Sequence, residues 1–443
     1  MRTRLSLFAL LAFSAAPALA QPGMQLPNFR PYDQTGINTF ETRKDTALTD
    51  GMKLRWGAAF SQTFQSLDHE NDTAADDLIK IGSGFNLAQA NLMMDAQLAK
   101  GIRVNLTSYL SSRHHNETWV KGGFVQIDEL PFFNSPAIDR IMDHVTIKMG
   151  HMEVNYGDAH FRRTDGGEAM YNPFIDNNIM DSFTTEVGGE LYVRQGPVMA
   201  MVGVTGGEIQ AGITVPMENG VANPDARKPS FVGKLAFDQQ VAPDVRARLS
   251  ASVYTTSSSV RNTLFGGDRT GSNYWLVLEP TNATLTANAF SGRVNPGLTD
   301  QLTAIQVNPF LKWRGLEFFG TYERAEGRQP IETVRRTWTQ LAGDVVYRFL
   351  PHEQAFVGAR YNTVTGNLAG APNATGTANA GLITTLGNEV TINRMEVGAG
   401  WAPIPQLLLK GSYVNQTYDG YPTASILSGG QFNGVVIQAV LAF

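Results

Sequence analysis

The feature that most constrains this chain is a two-residue rhythm of apolar and polar side chains that returns along its whole length. Between Met52 and Gln65, Leu54, Trp56, Ala58, Phe60 and Phe64 fall on one parity, while Lys53, Arg55, Gly57, Ser61 and Thr63 fall on the other. Successive side chains of an extended strand point to opposite faces, so such a stretch has one apolar and one polar face. The rhythm recurs in 86–98, where Leu92, Met94 and Leu98 oppose Asn91, Asp95 and Gln97, and in 102–110, where Val104 and Leu106 oppose Arg103 and Asn105. It recurs again in 246–254, 303–313, 341–349 and 393–401, with Arg246, Arg248, Lys312, Arg348 and Arg394 on the polar parity. Beyond Ala20 no run of 18 apolar residues occurs, so a transmembrane helix is not expected.

The links between these stretches alternate in length. Very short ones carry Gly or Pro: Ala99-Lys100-Gly101, Gln195-Gly196-Pro197, Val241-Ala242-Pro243-Asp244, Arg314-Gly315, Leu350-Pro351-His352-Glu353 and Ala402-Pro403-Ile404-Pro405. They read as hairpin turns. The others are long and polar, at 66–83, 154–183, 207–228, 257–299, 365–388 and 418–429. Short turns at one rim and long loops at the other are the pattern of an outer-membrane barrel. The fold class expected is therefore all-β, a transmembrane antiparallel β-barrel with 16 strands over residues 52–443. Segment 273–290 leaves 18 strands as the alternative. Phe237, Trp313, Phe349 and Trp401 each stand just before a short turn on the apolar parity, as an interfacial aromatic girdle would. The chain closes on Val435, Ile437, Ala439, Leu441 and Phe443 on one parity, which resembles the C-terminal signal of bacterial outer-membrane barrels.

Residues 1–20, MRTRLSLFALLAFSAAPALA, have a basic start at Arg2 and Arg4, a short apolar core and an A-x-A site at Ala18-Leu19-Ala20. This is a signal-peptide pattern. Cleavage there takes the net charge from −5 to −7. The segment 21–51, with Phe29, Tyr32 and Phe40, is either a periplasmic tail or a lumen insert, and is too short for a plug domain. Localisation in the outer membrane, contact with its lipid and insertion by the outer-membrane assembly machinery follow from this reading. The absence of Cys excludes disulfides, thiolate metal sites and cysteine nucleophiles. The negative charge gives no case for nucleic acid.

A sixteen-stranded barrel with a polar inner parity is wide enough for water, so the function expected is a porin: passive diffusion of small polar solutes. Twelve cations fall on the inward parity, among them Arg55, Arg103, Arg248, Lys312, Arg348, Arg360 and Arg394, against eight acids. That balance points to a mild anion preference. The third long loop, 154–183, carries Arg162, Arg163, Asp165, Glu168, Asp176 and Asp181, and is the candidate pore constriction. The plainer reading is that these charges solvate an exposed loop.

Two stretches resemble the phosphate-selective porin O/P type: Val145 to Glu153 running on to Tyr156-Gly157, and Glu186-Val187-Gly188-Gly189-Glu190-Leu191-Tyr192. The resemblance implies a homotrimeric anion channel with a basic constriction. The third loop here carries more acids than bases and no Lys-rich run.

Other functions find less support. His151 and Glu153 share a strand face but stand two residues, roughly 7 Å, apart, which is too far to chelate one ion directly. Ser and His occur without a hydrolase spacing, and His114-His115 reads as a loop tip. Neither an enzyme nor a cofactor is expected. A sugar or hydrophobic-solute channel, or a closed structural barrel, remains the alternative. Inward Met199, Met201, Phe319 and Phe356 are the only hints of an apolar path.

Overall fold

The computed structural model describes residues 29–44, 51–73, 77–110, 117–175, 178–209, 213, 215–218, 221–224, 227–259, 261–269, 274–288, 290–377 and 379–443. The expected signal peptide, His114-His115 and Asp176 lie outside the described residues.

Sixteen long strands close into one antiparallel barrel. They are β1 (Lys53–Glu70), β2 (Gln89–Ala99), β3 (Ile102–Leu110), β4 (Trp119–Ile127), β5 (Val145–Glu153), β6 (Thr185–Gln195), β7 (Val198–Thr205) and β8 (Ser230–Ala242). They continue with β9 (Val245–Thr256), β10 (Gln301–Trp313), β11 (Leu316–Arg328), β12 (Arg336–Phe349), β13 (Ala355–Ala369), β14 (Leu386–Ile404), β15 (Leu407–Asp419) and β16 (Gln431–Ala442). Each strand pairs with its sequence neighbour. β1 and β16 complete the ring, in register from Ala59 opposite Ala442 to Glu70 opposite Gln431. Phe443 adds two backbone hydrogen bonds with Ala58, each 3.0 Å. Closure satisfies every strand edge, which a sheet crossing hydrocarbon requires. The region 274–288 contributes two isolated bridges, Tyr274 to Ser291 and Pro280 to Leu78, and the four-residue helix Leu285–Asn288 rather than two more wall strands.

Outward side chains are apolar and exposed around the ring, including Leu235, Leu341, Met395, Leu409 and Ile437. Phe237, Trp313, Phe349 and Trp401 are also exposed, at the short-turn rim. This is the belt that a lipid-facing surface needs. Among the described residues no helix is long and apolar enough to cross a membrane.

The wall is uneven in height. β3, β4 and β5 have 9 residues each and β7 has 8. β12, β13 and β14 have 14, 15 and 19. β4 and β5 share only five paired positions, from Gly123 opposite His151 to Ile127 opposite Ile147. The link between them contains α1 (Pro136–Met142), which accounts for its extra length.

The interior is filled more than the polar parity predicts. Segment 29–44 and much of loops 154–183 and 257–299 are packed inside. Towards the long-loop rim the inner face itself turns apolar: Leu302, Trp338, Val364, Ile392, Val414 and Val436 pack with Tyr156 and Ile179 of the third loop and Phe265, Tyr274 and Val277 of the fifth. A loop folded inward buries its apolar side chains only if the wall offers apolar partners, and these upper strand positions supply them.

Candidate functional site

A loop that enters the barrel leaves the sheet's hydrogen bonding behind, and each buried peptide group then needs another partner. Inward side chains of the wall provide them. After β5 the chain turns at Gly157, whose φ of +69° favours glycine and where a Cβ would displace the Gln306 side chain, 1.7 Å away at Oε1. The Gly157 N–H donates to Oγ of Ser252 at 3.0 Å, and the Asp158 N–H to Oδ1 of Asn308 at 2.8 Å. Two short 3₁₀ turns follow, Ala159–Arg162 and Gly166–Met170. Further on, the Ile175 N–H donates to Oε1 of Glu396 at 3.1 Å and the Ile179 N–H to Oε1 of Gln340 at 2.9 Å. Arg394 donates to the Ile175 carbonyl at 2.6 Å. Lys410 donates to the carbonyls of Ala169 and Asn172 at 3.0 and 2.6 Å.

The charged side chains of loop 154–183 are engaged locally. Arg163 makes a bidentate pair with Asp165, both contacts at 2.7 Å, and also reaches Glu153 at the end of β5. Arg162 points the other way. It lies 3.6 Å from Asp344, its guanidinium is 4.6 Å from the Phe319 ring centroid, and it donates to Asn38. Asp181 accepts from Arg269 of the fifth loop at 2.6 Å. Glu168 is half-buried in the second 3₁₀ turn.

The wall residues picked out by parity are all on the inner face, and their partners differ. Arg55 pairs with Asp95 at 2.5 Å and Arg103 with Asp128 at 2.6 Å. Arg348 and Lys312 converge on Glu317 at 3.0 and 3.1 Å, and Lys312 also pairs with Glu353. Arg360 pairs with Asp344 at 2.5 Å. Arg248 joins a four-membered group. It and Lys234 each lie 2.8 Å from both Glu41 and Asp158. Burial opposes ionisation of Glu41 and Asp158, but the two cations outweigh it and hold both carboxyls below their usual range.

Glu41 is the member of this group that parity reasoning could not reach. It sits in segment 29–44, outside any strand. That segment lies inside the lumen. Tyr32 donates to Asp95 at 2.6 Å, Asn38 to Glu317 at 2.6 Å, and Phe40 packs on Phe310 and Phe161. The Gln34 N–H donates to the carbonyl of Pro405 in a short turn, at 2.9 Å, which ties the segment to the short-turn rim. The aromatic residues of the segment were its only sequence signal.

Between this segment, the third loop and strands β2–β6 a space of about 240 Å³ remains, bordered by Arg30, Arg55, Lys121, Lys148 and Arg194 and by Glu41, Asp95, Glu153 and Glu168.

No family model matches the chain, and no curated protein does. Solved structures share its fold. The anion-selective porin from Comamonas acidovorans aligns with a TM-score of 0.52 at 10% identity, covering 88% of this chain and 100% of its own. The outer membrane channel DcaP of Acinetobacter baumannii gives 0.49 at 11% identity, covering 90% and 99%. Outer-membrane expressed OmpT of Vibrio cholerae gives 0.47 at 9% identity, covering 90% and 100%. The first carries the fold assignment, and with the lipid-facing belt it makes this chain a porin-like outer-membrane β-barrel.

Proposed function

We propose that the protein is an outer-membrane diffusion channel for small polar solutes, narrowed by loop 154–183 together with segment 29–44, with a mild preference for anions. The observation that carries the reading is the third loop held across the lumen by wall side chains, with a cation-bordered space left beside it. A solute crossing there passes five cations and four acids. Most of the acids are already engaged: Asp95 by Arg55, Glu153 by Lys121 and Arg163, and Glu41 by Lys234 and Arg248. Arg55 and Lys121 are spent on the same acids, which leaves Arg30, Lys148 and Arg194 against Glu168, and the field a passing ion meets is positive.

The O/P-type resemblance adds a homotrimer and a basic constriction. Arg162 and Arg163 are the basic groups of the loop, and with Arg163 bound to Asp165 the geometry favours a general anion channel over one dedicated to phosphate. Division into a cleaved leader 1–20, a lumen segment within 21–51 and a barrel 52–443 belongs to the same reading.

The test is single-channel current of the purified protein in a planar bilayer, with the reversal potential under a salt gradient. Discrete steps with an anion-side reversal potential are expected. Steps with a cation-side potential overturn the anion preference. A folded barrel that gives no steps overturns the channel.

A further inference from the structure

We propose that the space between segment 29–44 and strands β2–β6 binds a single-ring aromatic monoanion, with its charge at Lys148 and its ring against Phe29, Phe124 and Phe161. This deepens the channel reading by naming a solute class, and it rests on that reading only for transport, not for binding.

The argument starts with Lys148. It is on the inward parity of β5, beside the space, and its Nζ lies 4.2 Å from the Phe124 ring centroid. Among the described residues it has no carboxylate within 4.0 Å. Glu190 stands opposite it in the ladder, but that carboxylate accepts from the Asn155 N–H at 3.2 Å and from the Tyr192 O–H at 2.5 Å. Arg194, next along the border, spends its guanidinium on the Thr42 carbonyl and on the Met199 sulfur, a weak acceptor. A half-buried ammonium against a ring, with its neighbouring acid occupied, is a place where an incoming anion replaces water at little further desolvation cost.

Size and lining select the rest of the ligand. A space of about 240 Å³ exceeds the roughly 150 Å³ apolar cavity that holds benzene. One ring and one charged head fit, with little left over. Phe29, Phe124 and Phe161 line the space, as do Met93 and Met152. Aromatic ligands gain from such rings beyond area burial. A sugar finds less, because the polar border groups are committed to their neighbours: Asn105 donates to Asp95, and Thr146 to Asp128. One charged head matches the one ammonium at Lys148, while Arg30 and Arg194 are already spent on backbone carbonyls, which favours a monoanion.

The test is calorimetric titration of the full mature barrel in detergent with benzoate, acetate, phosphate and benzylammonium. Benzoate is expected to bind at least about tenfold more tightly than acetate or phosphate, with no binding of benzylammonium. Lys148→Gln is expected to weaken benzoate about tenfold, Lys148→Arg to restore most of it, and Phe124→Leu to weaken benzoate while leaving acetate unchanged. Phosphate binding as tightly as benzoate overturns the aromatic assignment. An unchanged benzoate affinity in Lys148→Gln overturns the site. Because the titration needs no current, its failure is separate from failure of the channel: a barrel that conducts without binding benzoate sinks this proposal alone, and one that binds benzoate without conducting supports the site and sinks the channel.

Discussion

The two halves of the barrel wall use the same kind of residue for opposite ends. On β10–β15, inward cations hold the third loop in place: Arg394 and Lys410 donate to its carbonyls, and Arg360 anchors Asp344 beside Arg162. On β5 and β6, Lys148 and Arg194 border an open space. Both sets lie on the polar parity of amphipathic strands. The difference lies in what packs against them. Where a loop or segment supplies carbonyls and carboxylates, a buried cation becomes a clamp; where none reaches it, as at Lys148, the cation stays available to solute.

The largest effect on this comparison is expected from deleting residues 29–44. That segment closes one side of the space and shares Glu41 with Lys234 and Arg248. Single-channel conductance should rise several-fold, and an unchanged conductance would show that ions pass elsewhere. Next, Arg360→Met removes the 2.5 Å partner of buried Asp344 and leaves Arg162 at 3.6 Å. Loss of one partner of a buried pair costs about 3–5 kcal/mol. Urea unfolding should show a loss of that order with ion selectivity retained, whereas Lys148→Met should cost under about 1 kcal/mol and shift the reversal potential toward cations. Equal stability losses in the two variants would erase the distinction between clamp and border.

A smaller effect is expected from pH. His160 lies in the third loop, with Asn155 at 2.9 Å and Glu153 at 3.7 Å. Burial, and then the Lys234 ammonium, hold it well below the usual His range. The unfolded chain therefore takes up a proton near pH 6.5 that the folded one refuses, so the stability His160 contributes above that pH is lost as pH falls through it toward the depressed value. The thermal midpoint should drop between about pH 7.5 and 5.5, and His160→Gln should flatten that slope. The smallest effect belongs to the rim. Arg314 and Asp244 pair at 3.1 Å with both side chains largely exposed, so Arg314→Ala should change stability by less than about 1 kcal/mol and leave conductance alone.

The outer face was legible because strand periodicity is local and lipid demands one answer at every other position. Trp313 and Trp401 could be assigned to a girdle from their own neighbours in sequence, and both are exposed at that rim. The inner face was legible in direction but not in partnership. Parity turns Arg394 inward, yet its acceptor is the Ile175 carbonyl, 219 positions away. Arg163 and Asp165 stood among the candidate constriction charges, and only the fold shows them bound to each other. The fifth loop looked long and polar, and its Leu264, Phe265, Tyr274 and Val277 proved to be core. Irregular loops have no period to betray which side chains they bury.

The sequence by itself determined a closed, lipid-belted barrel of sixteen strands, because two-residue alternation and alternating link lengths leave a membrane-facing chain few other ways to satisfy its backbone. Tertiary structure alone decided what stands inside it. Segment 29–44 and the third and fifth loops enter the lumen through contacts between residues distant along the chain, and those contacts settle which inward cations are consumed and which, like Lys148, face the remaining space.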